Sequence, residues 1–460
     1  MSICNFGLEA KLKRTSVMVL VRASDPLIRL ANALAWLELA GIAEPDLRRT
    51  AKGLWMRGRR LYLRTHLAVL ILQALLKETD RGIEKRIRQT PVLQVFCGKG
   101  IVPSWKCPDH TKIEEFRNRL KPETHKALSD AVIKTAARLG FADLSWMDLD
   151  STVQEANMAY PSDASLMKKL GEKCHKIVEF LKRKAKSYLP KNLSVDIGAI
   201  RKKAKEYFFL AKNASIDTRR TLFADYHRLV KKATKPVIDF CQNMTERQLR
   251  ALPWNIRQGV DQLRSIAWRY LLDVGHFTRT HTIKTGKRLS FHQKEVECIR
   301  KGKAGKDHEF GRAFQLGRIG GNFLIVFSST SVRMDDKSSL IPVIEEHRNV
   351  FGADVLKQVG TDKGYYSAAN VSGAEARSVC AAGVQRPVSI KPQLPPEVVQ
   401  PLRDRRAGAE ALIGHAKQFG LQKSRMKSDA ATLASGYRSV MGFNLHQLSR
   451  HMTGLAANSD

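Results

Sequence analysis

Apolar and polar positions along the chain follow two periods, one helical and one extended. Leu67 to Lys77 is an apolar helical stretch, and Thr79 to Arg88 is a charged one. Pro91, Gly98, Gly100 and Pro103 then mark a break. Ile113, Phe116 and Leu120, spaced three and four apart, predict a helix beginning over Asp109 to Arg119. Leu166, Leu170, Cys174, Ile177 and Leu181 recur at steps of four, four, three and four. That spacing predicts an amphipathic helix, which Pro190 ends. Thr245 followed by Gln248 is a capping box before another helix. Between the two helical regions, Leu144 to Asp150 reads as a short strand. A period of two puts Asp148 and Asp150 on one face of it.

From about residue 290 strands and helices alternate. Phe310 to Phe327 reads as a hairpin turning at Gly320-Gly321. Val355 to Gly360 is a short strand that ends just before Asp362. Ser367 to Ala382 reads as a helix, Pro387 to Lys391 as a strand, and Arg403 to Gln418 as a helix. A last helix follows Ser428, which suits an N-cap. The chain thus falls into four regions: 1–140, 141–161, 162–289 and 290–460. The predicted class is mixed, α+β or α/β.

Charge narrows the class of partner. The 460 residues carry 79 Lys and Arg against 44 Asp and Glu, a formal net charge of +35. A field of that sign favours a polyanion. Residues 151–290 hold 29 basic and 12 acidic residues, a net +17. Lys182-Arg183-Lys184 and Arg201-Lys202-Lys203 are the dense spots. A solvated helix face and a surface that tracks a phosphate backbone both fit them; the total charge favours the second. The seven cysteines are scattered and odd in number, without a CxxC pair, which fits a reducing compartment. Cys97, Cys107 and His110 are too irregularly spaced for a zinc site and read as ordinary thiols and a histidine. No run approaches the roughly 18 apolar residues of a membrane span. The N-terminus lacks a signal layout. A soluble, cytoplasmic protein is expected.

Three acids stand out by position. Asp150 ends one predicted strand, Asp362 follows another, and Glu410 lies on a predicted helix. Side chains at the carboxyl ends of strands are where α/β folds build sites. Clustered carboxylates need a counter-ion, and a divalent cation held by a few carboxylates, waters and phosphate oxygens supplies it. Arg406 stands four residues before Glu410, and Lys417 seven after. On a helix all three share a face. A surface salt-bridge ladder has the same spacing. Asp148 is the rival to Asp150, sharing its face.

Several segments resemble one family. Asp150-Ser-Thr-Val-Gln-Glu-Ala-Asn-Met-Ala-Tyr-Pro-Ser-Asp163 is similar to the first-aspartate segment of bacterial insertion-sequence transposases of the DDE type, in the insertion-sequence-four and -five-like superfamily. Asp362-Lys-Gly-Tyr365 resembles their second-aspartate motif, and Arg405 to Lys417 their glutamate motif. Asp109-His-Thr with Phe116 to Leu120 resembles the end of their N-terminal helical domain. Gly302 to Lys306 and Glu309-Phe-Gly311 look like one subgroup.

The resemblance implies a ribonuclease-H-like mixed sheet with helices over 141–161 and 290–460. It implies a basic helical insertion over 162–289, and an all-helical domain over 1–140 for DNA binding or dimerisation. It implies double-stranded DNA as partner, both terminal inverted repeats and target, bound by a homodimer and away from membranes. Asp150, Asp362 and Glu410 would hold two Mg²⁺ ions, with Mn²⁺ able to substitute. Arg406 and Lys417 would contact DNA near the cut, together with Arg403, which stands where the superfamily often has Tyr. His415 would be a structural or DNA-contacting histidine. Gly364 and Tyr365 would shape the turn and pack under the site. A ribonuclease-H-like nuclease and an inactive repeat-binding protein are the alternatives.

Overall fold

The computed structural model of the chain describes residues 21–47, 62–98, 107–158, 161–184, 190, 192–284, 286–291, 293, 296–303, 306–327, 335–383, 396–426 and 428–457. The fold is mixed α+β. The first region holds α1 (Pro26–Ala33), α2 (Trp36–Leu47), α3 (Leu63–Leu76), α4 (Asp80–Gln89), α5 (Pro91–Phe96), α6 (His110–Arg119) and α7 (Pro122–Arg138). Local chemistry sets their starts. Asp109 caps α6 by accepting from Thr111 and Lys112 N–H, and Thr79 caps α4 through Gly82 N–H. From Leu67 to Leu72 the helix α3 is wholly apolar, and all six residues are buried. A helix of that kind belongs in a core. Each of its fully buried leucines contributes on the order of 1.5–3 kcal/mol by leaving water. Among the described residues, no single helix is long and apolar enough to cross a membrane.

The chain forms two compact units. The first contains residues 1–154, 313–424 and 433–460; the second contains 155–312 and 425–432. The division falls inside β1 (Trp146–Glu155) and inside β3 (Lys306–Ile319).

In the first unit, β1 pairs in parallel with β5 (Gln358–Thr361), and β5 with β6 (Cys380–Gly383). The strand β4 (Phe323–Val326) pairs antiparallel with the last part of β3, Leu316 opposite Val326. Within this unit the sheet order is β3-β1-β5-β6, with β4 on β3. Helices α14 (Asp336–Phe351), α15 (Ala368–Glu375), α16 (Pro396–Ala416) and α17 (Asp429–Ala457) complete the unit. The expected helix over Ser367 to Ala382 stops at Glu375. Ser378 takes a left-handed backbone (φ 59), and Cys380 to Gly383, small residues, pair with β5 instead. The strand expected over Pro387 to Lys391 lies outside the described residues. The helix expected from Arg403 starts earlier, at Pro396.

Buried polar groups tie the first helices to the last one. Arg117 on α6 pairs with Asp80 on α4, and Gln73 on α3 donates to the same carboxylate at 2.6 Å. His125 on α7 lies 3.3 Å from the Arg117 carbonyl and 3.4 Å from Arg438 on α17. Burial pushes the Arg438 guanidinium down to about 9 and holds His125 well below the usual imidazole range.

The second unit holds α8 (Asp163–Lys184), α9 (Ile197–Leu210), α10 (Ile216–Gln242), α11 (Glu246–Arg250), α12 (Trp254–Gln262) and α13 (Trp268–Thr280). It has its own core, in which Leu170, Cys174, Ile177 and Leu181 of α8 meet Tyr226 and Val230 of α10. The Thr245–Gln248 capping box is present. Antiparallel β2 (Glu297–Lys303) pairs with the first part of β3, Glu297 opposite Gly311. The Ala156 N–H donates to the Phe310 carbonyl at 2.8 Å, so this long segment begins and ends on neighbouring backbone.

The Gly320-Gly321 turn works because neither residue has a side chain. Gly321 has φ 77, and a Cβ there would lie 1.9 Å from the Phe141 carbonyl oxygen. At Gly320 a Cβ would lie 2.5 Å from the Asp143 Cβ. Gly321→Ala therefore combines backbone strain with a clash against main chain. It should lower the unfolding free energy by roughly 2 kcal/mol or more, read from urea denaturation.

Candidate active site

The parallel pairing of β1 and β5 sets Trp146 opposite Gln358 and Asp148 opposite Gly360. Carried on by two residues, that register sets Asp150 level with Asp362. Neighbouring strands run about 5 Å apart. Two acids separated by 212 positions in sequence thus stand side by side at one end of a parallel pair. Asp362 begins a tight turn, Lys363–Tyr365, and accepts from the Gly364 N–H at 2.7 Å. Asp150 accepts from the Ser151 N–H, also at 2.7 Å.

Tyr365 lies beneath these acids. It is fully buried, and its hydroxyl donates to Gln315 Oε1 at 2.5 Å. Burial pushes its ionisation well above the usual phenol range, and the charges of Asp336, Asp150 and Asp362 push the same way. The ring is therefore a neutral donor below a group of carboxylates. Asp336, at the start of α14, belongs to that group and was not singled out in the sequence. Gln315 Nε2 reaches it at 3.4 Å. Gly364 lets the acids close in: a Cβ there would lie 2.9 Å from Asp362 Oδ1 and 3.3 Å from Asp336 Oδ2.

Asp148 has a different role. It is fully buried, with Arg405 Nε at 3.1 Å and Arg318 Nη1 at 3.9 Å. The Arg405 guanidinium also stacks 4.0 Å above the Trp146 ring. Burial raises the Asp148 carboxyl above its ordinary value, against the pull of Arg405, Arg318 and Arg406. This carboxylate is committed to arginine, which separates it from its rival Asp150.

Helix α16 packs against β5 and carries the next residues. Arg406 Nη2 stands 3.8 Å from Asp362 Oδ2. Glu410, one turn further on, is exposed. His415 is exposed too, and Lys417 is half-buried on the turn that ends the helix. The Arg403 side chain lies outside the described residues. Among the described residues, no three His, Cys, Asp or Glu side chains converge into a metal-holding group. Asp150 and Asp362 offer the hard oxygens that Mg²⁺ takes one or two at a time.

In the second unit, Lys182, Arg183, Lys184, Arg201 and Lys202 are exposed and Lys203 is half-buried. Glu179 holds Lys182 at 3.0 Å, Glu172 holds Arg201 at 3.3 Å, and Glu206 holds Lys203 at 2.7 Å. Exposed pairs of this kind are weak and yield readily to a phosphate. Cys97 and Cys107 are buried, and burial pushes both thiols up to about 12. His110 is taken by Glu84 at 3.0 Å.

Residues 16–119 match the family model described as a transposase domain (DUF772). The match takes in α1 to α6 and stops before β1. It supports a transposase role, with DNA as partner. Comparison with curated proteins and with solved structures finds no match.

The two neighbouring acids of β1 should separate by stability. Asp148→Ala leaves Arg405 without its buried counter-charge and should cost roughly 3 kcal/mol of unfolding free energy. Asp150→Asn should change it by about 1 kcal/mol or less. Urea denaturation of both variants reads the contrast, and equal losses would overturn the assignment of Asp148 as an anchor.

Proposed function

We propose that the chain is a DNA transposase of the DDE type. Its catalytic residues are Asp150, midway along β1, which runs on to Glu155 rather than ending there, Asp362, just past the end of β5, and Glu410 on α16. The observation that carries this reading is the register of β1 on β5, which brings two distant acids level in a chain that also bears a transposase domain. A ribonuclease-H-like domain split by a helical insertion after its first strand agrees with a parallel β1–β5–β6 trio and with the helical unit that follows β1.

The reaction is hydrolysis of a phosphodiester at the inverted-repeat ends of an insertion sequence. Transfer of the freed 3′-hydroxyl to target DNA follows. Asp150 and Asp362 would hold the divalent ions, with Glu410 drawn in to complete the set; the ions would supply activation of the attacking oxygen and neutralisation of the leaving one. Arg406, already beside Asp362, meets the scissile phosphate and stabilises charge that grows on its oxygens. Lys417 binds a phosphate further along the same helix face. Tyr365 stays protonated and sets the floor of the site, so that neither acid can sink into the core. The basic face of α8 and α9 follows the DNA backbone. Both ends of the element must be held at once, which calls for a homodimer on DNA.

A second reading has one observation in its favour. The absence of a preassembled three-acid group among the described residues suits a repeat-binding protein that does not cut. The same assay decides between them. With duplex taken from the DNA flanking the coding region and Mg²⁺ present, the wild-type chain should nick and join strands. Asp150→Asn and Asp362→Asn should each reduce this by about 1000-fold while still binding. Binding by the wild type without any cleavage would favour the second reading. Salt titration gives an independent check. Replacing Lys182, Arg183 and Lys184 with Ala should flatten the slope of log affinity against log salt, by up to about one unit per lost phosphate contact.

A further inference from the structure

Helices α9 and α10 pack together and are joined by five residues, forming a helical hairpin. Its tip is apolar and exposed. Phe209 is 83% exposed and Ile216 is 65% exposed, with Phe208 and Leu210 about half so. A turn joining two surface helices is ordinarily polar, and large apolar side chains exposed there mark a contact surface. They are not a loose collection. Ser215 caps α10 by accepting from the Thr218 N–H at 3.2 Å, which fixes the turn. Behind the tip, the Phe208 ring meets Tyr207 edge-on at 5.8 Å, and Tyr207 stacks on buried Tyr226 at 6.4 Å. An aromatic column thus runs from the core of the unit to its surface, and Phe209 is the next residue along the helix.

The surrounding charge says what this tip meets. Residues 201–220 contain seven Lys and Arg against Glu206 and Asp217, a net +5. Lys202, Lys205 and Lys212 are exposed and have no acidic partner among the described residues. Exposed aromatic faces among unpaired cations match a polyanion whose units carry flat, stackable rings. We propose that the α9–α10 tip binds unpaired bases of DNA, with Phe209 as the stacking face and Lys202, Lys205 and Lys212 on the adjoining phosphates. Base–aromatic stacking tolerates any sequence, since every base has a π face. Such a contact selects strand ends and melted segments over intact duplex. The inference rests on DNA being the partner, and on nothing that Asp150 or Asp362 does.

The test is binding by the full chain in EDTA, so that cleavage plays no part. Two labelled probes are compared: a blunt duplex, and the same duplex with a four-nucleotide 3′ overhang. Phe209→Ala should weaken overhang binding about 10-fold and leave blunt duplex within about 2-fold. Phe209→Trp should restore the overhang preference. So exposed a side chain leaves folding untouched, and circular dichroism of each variant verifies that. Equal affinity of wild type and Phe209→Ala for the overhang probe would overturn the proposal. A change in sedimentation with DNA binding unaltered would overturn it in favour of a second copy of the chain at the tip. Phe209-dependent binding to phosphatidylserine vesicles, with DNA binding unaltered, would overturn it in favour of a lipid surface. Failure to bind even the blunt duplex would remove the reading of DNA as partner, and the inference with it.

Discussion

The ion pair between Asp148 and Arg405 is the constraint on which the arrangement of the first unit depends. It joins the first part of β1 to α16 at a fully buried carboxylate, where charge is costly to hold and tolerates little displacement. Trp146, two residues earlier on the same strand, stacks against the same guanidinium. With Arg405 fixed in this way, the next residue on the helix, Arg406, comes to stand beside Asp362. The strand pairing sets the two aspartates level; the buried pair brings the cationic helix to them. An apolar contact in the same place would hold α16 as firmly, yet it would leave the helix free to slide or turn. Directional charge pairing specifies register, which a site built from three separate elements requires.

Charge is also divided by purpose. Inside the first unit, buried Arg117 and half-buried Arg438, Arg405 and Arg318 are answered by Asp80 or Asp148. On the helices of the second unit, Lys and Arg lie at the surface, held by exposed acids or by none. The first kind builds structure and responds little to salt. The second is screened within about 10 Å at 0.1 M salt and exchanges partners readily. A protein that must grip and release a polyanion needs both kinds, kept apart.

Much of this was legible in the sequence where local rules decide. The alternation from Leu144 to Asp150 marked β1, the Gly320-Gly321 pair marked the turn, and Thr245 with Gln248 marked a cap. Legibility ended where tertiary contact decides. Alternation placed Asp148 and Asp150 on one face and could not tell them apart; only the arginines of α16 and β3 distinguish them. Asp336 reads as an unremarkable acid in the first turn of a helix, and becomes part of the site because Gly364 allows close approach. Cys380 to Gly383 lacks the branched residues that announce a strand, and pairs because β5 offers an edge. Glu410, chosen for its helical spacing from Arg406 and Lys417, is exposed, and spacing along a helix carries no information about distance to another strand.

The hydrogen bond from Ala156 to Phe310 has an evolutionary consequence. The chain leaves β1 and, more than 150 residues later, returns to the backbone it left. A host whose entry and exit points coincide feels almost nothing of what lies between them, because closing a longer excursion adds only a logarithmic entropic penalty. Descendant lineages can therefore grow, trim or wholly exchange the helices in that excursion without redesigning the scaffold. Selection can act on one module while the other stays frozen.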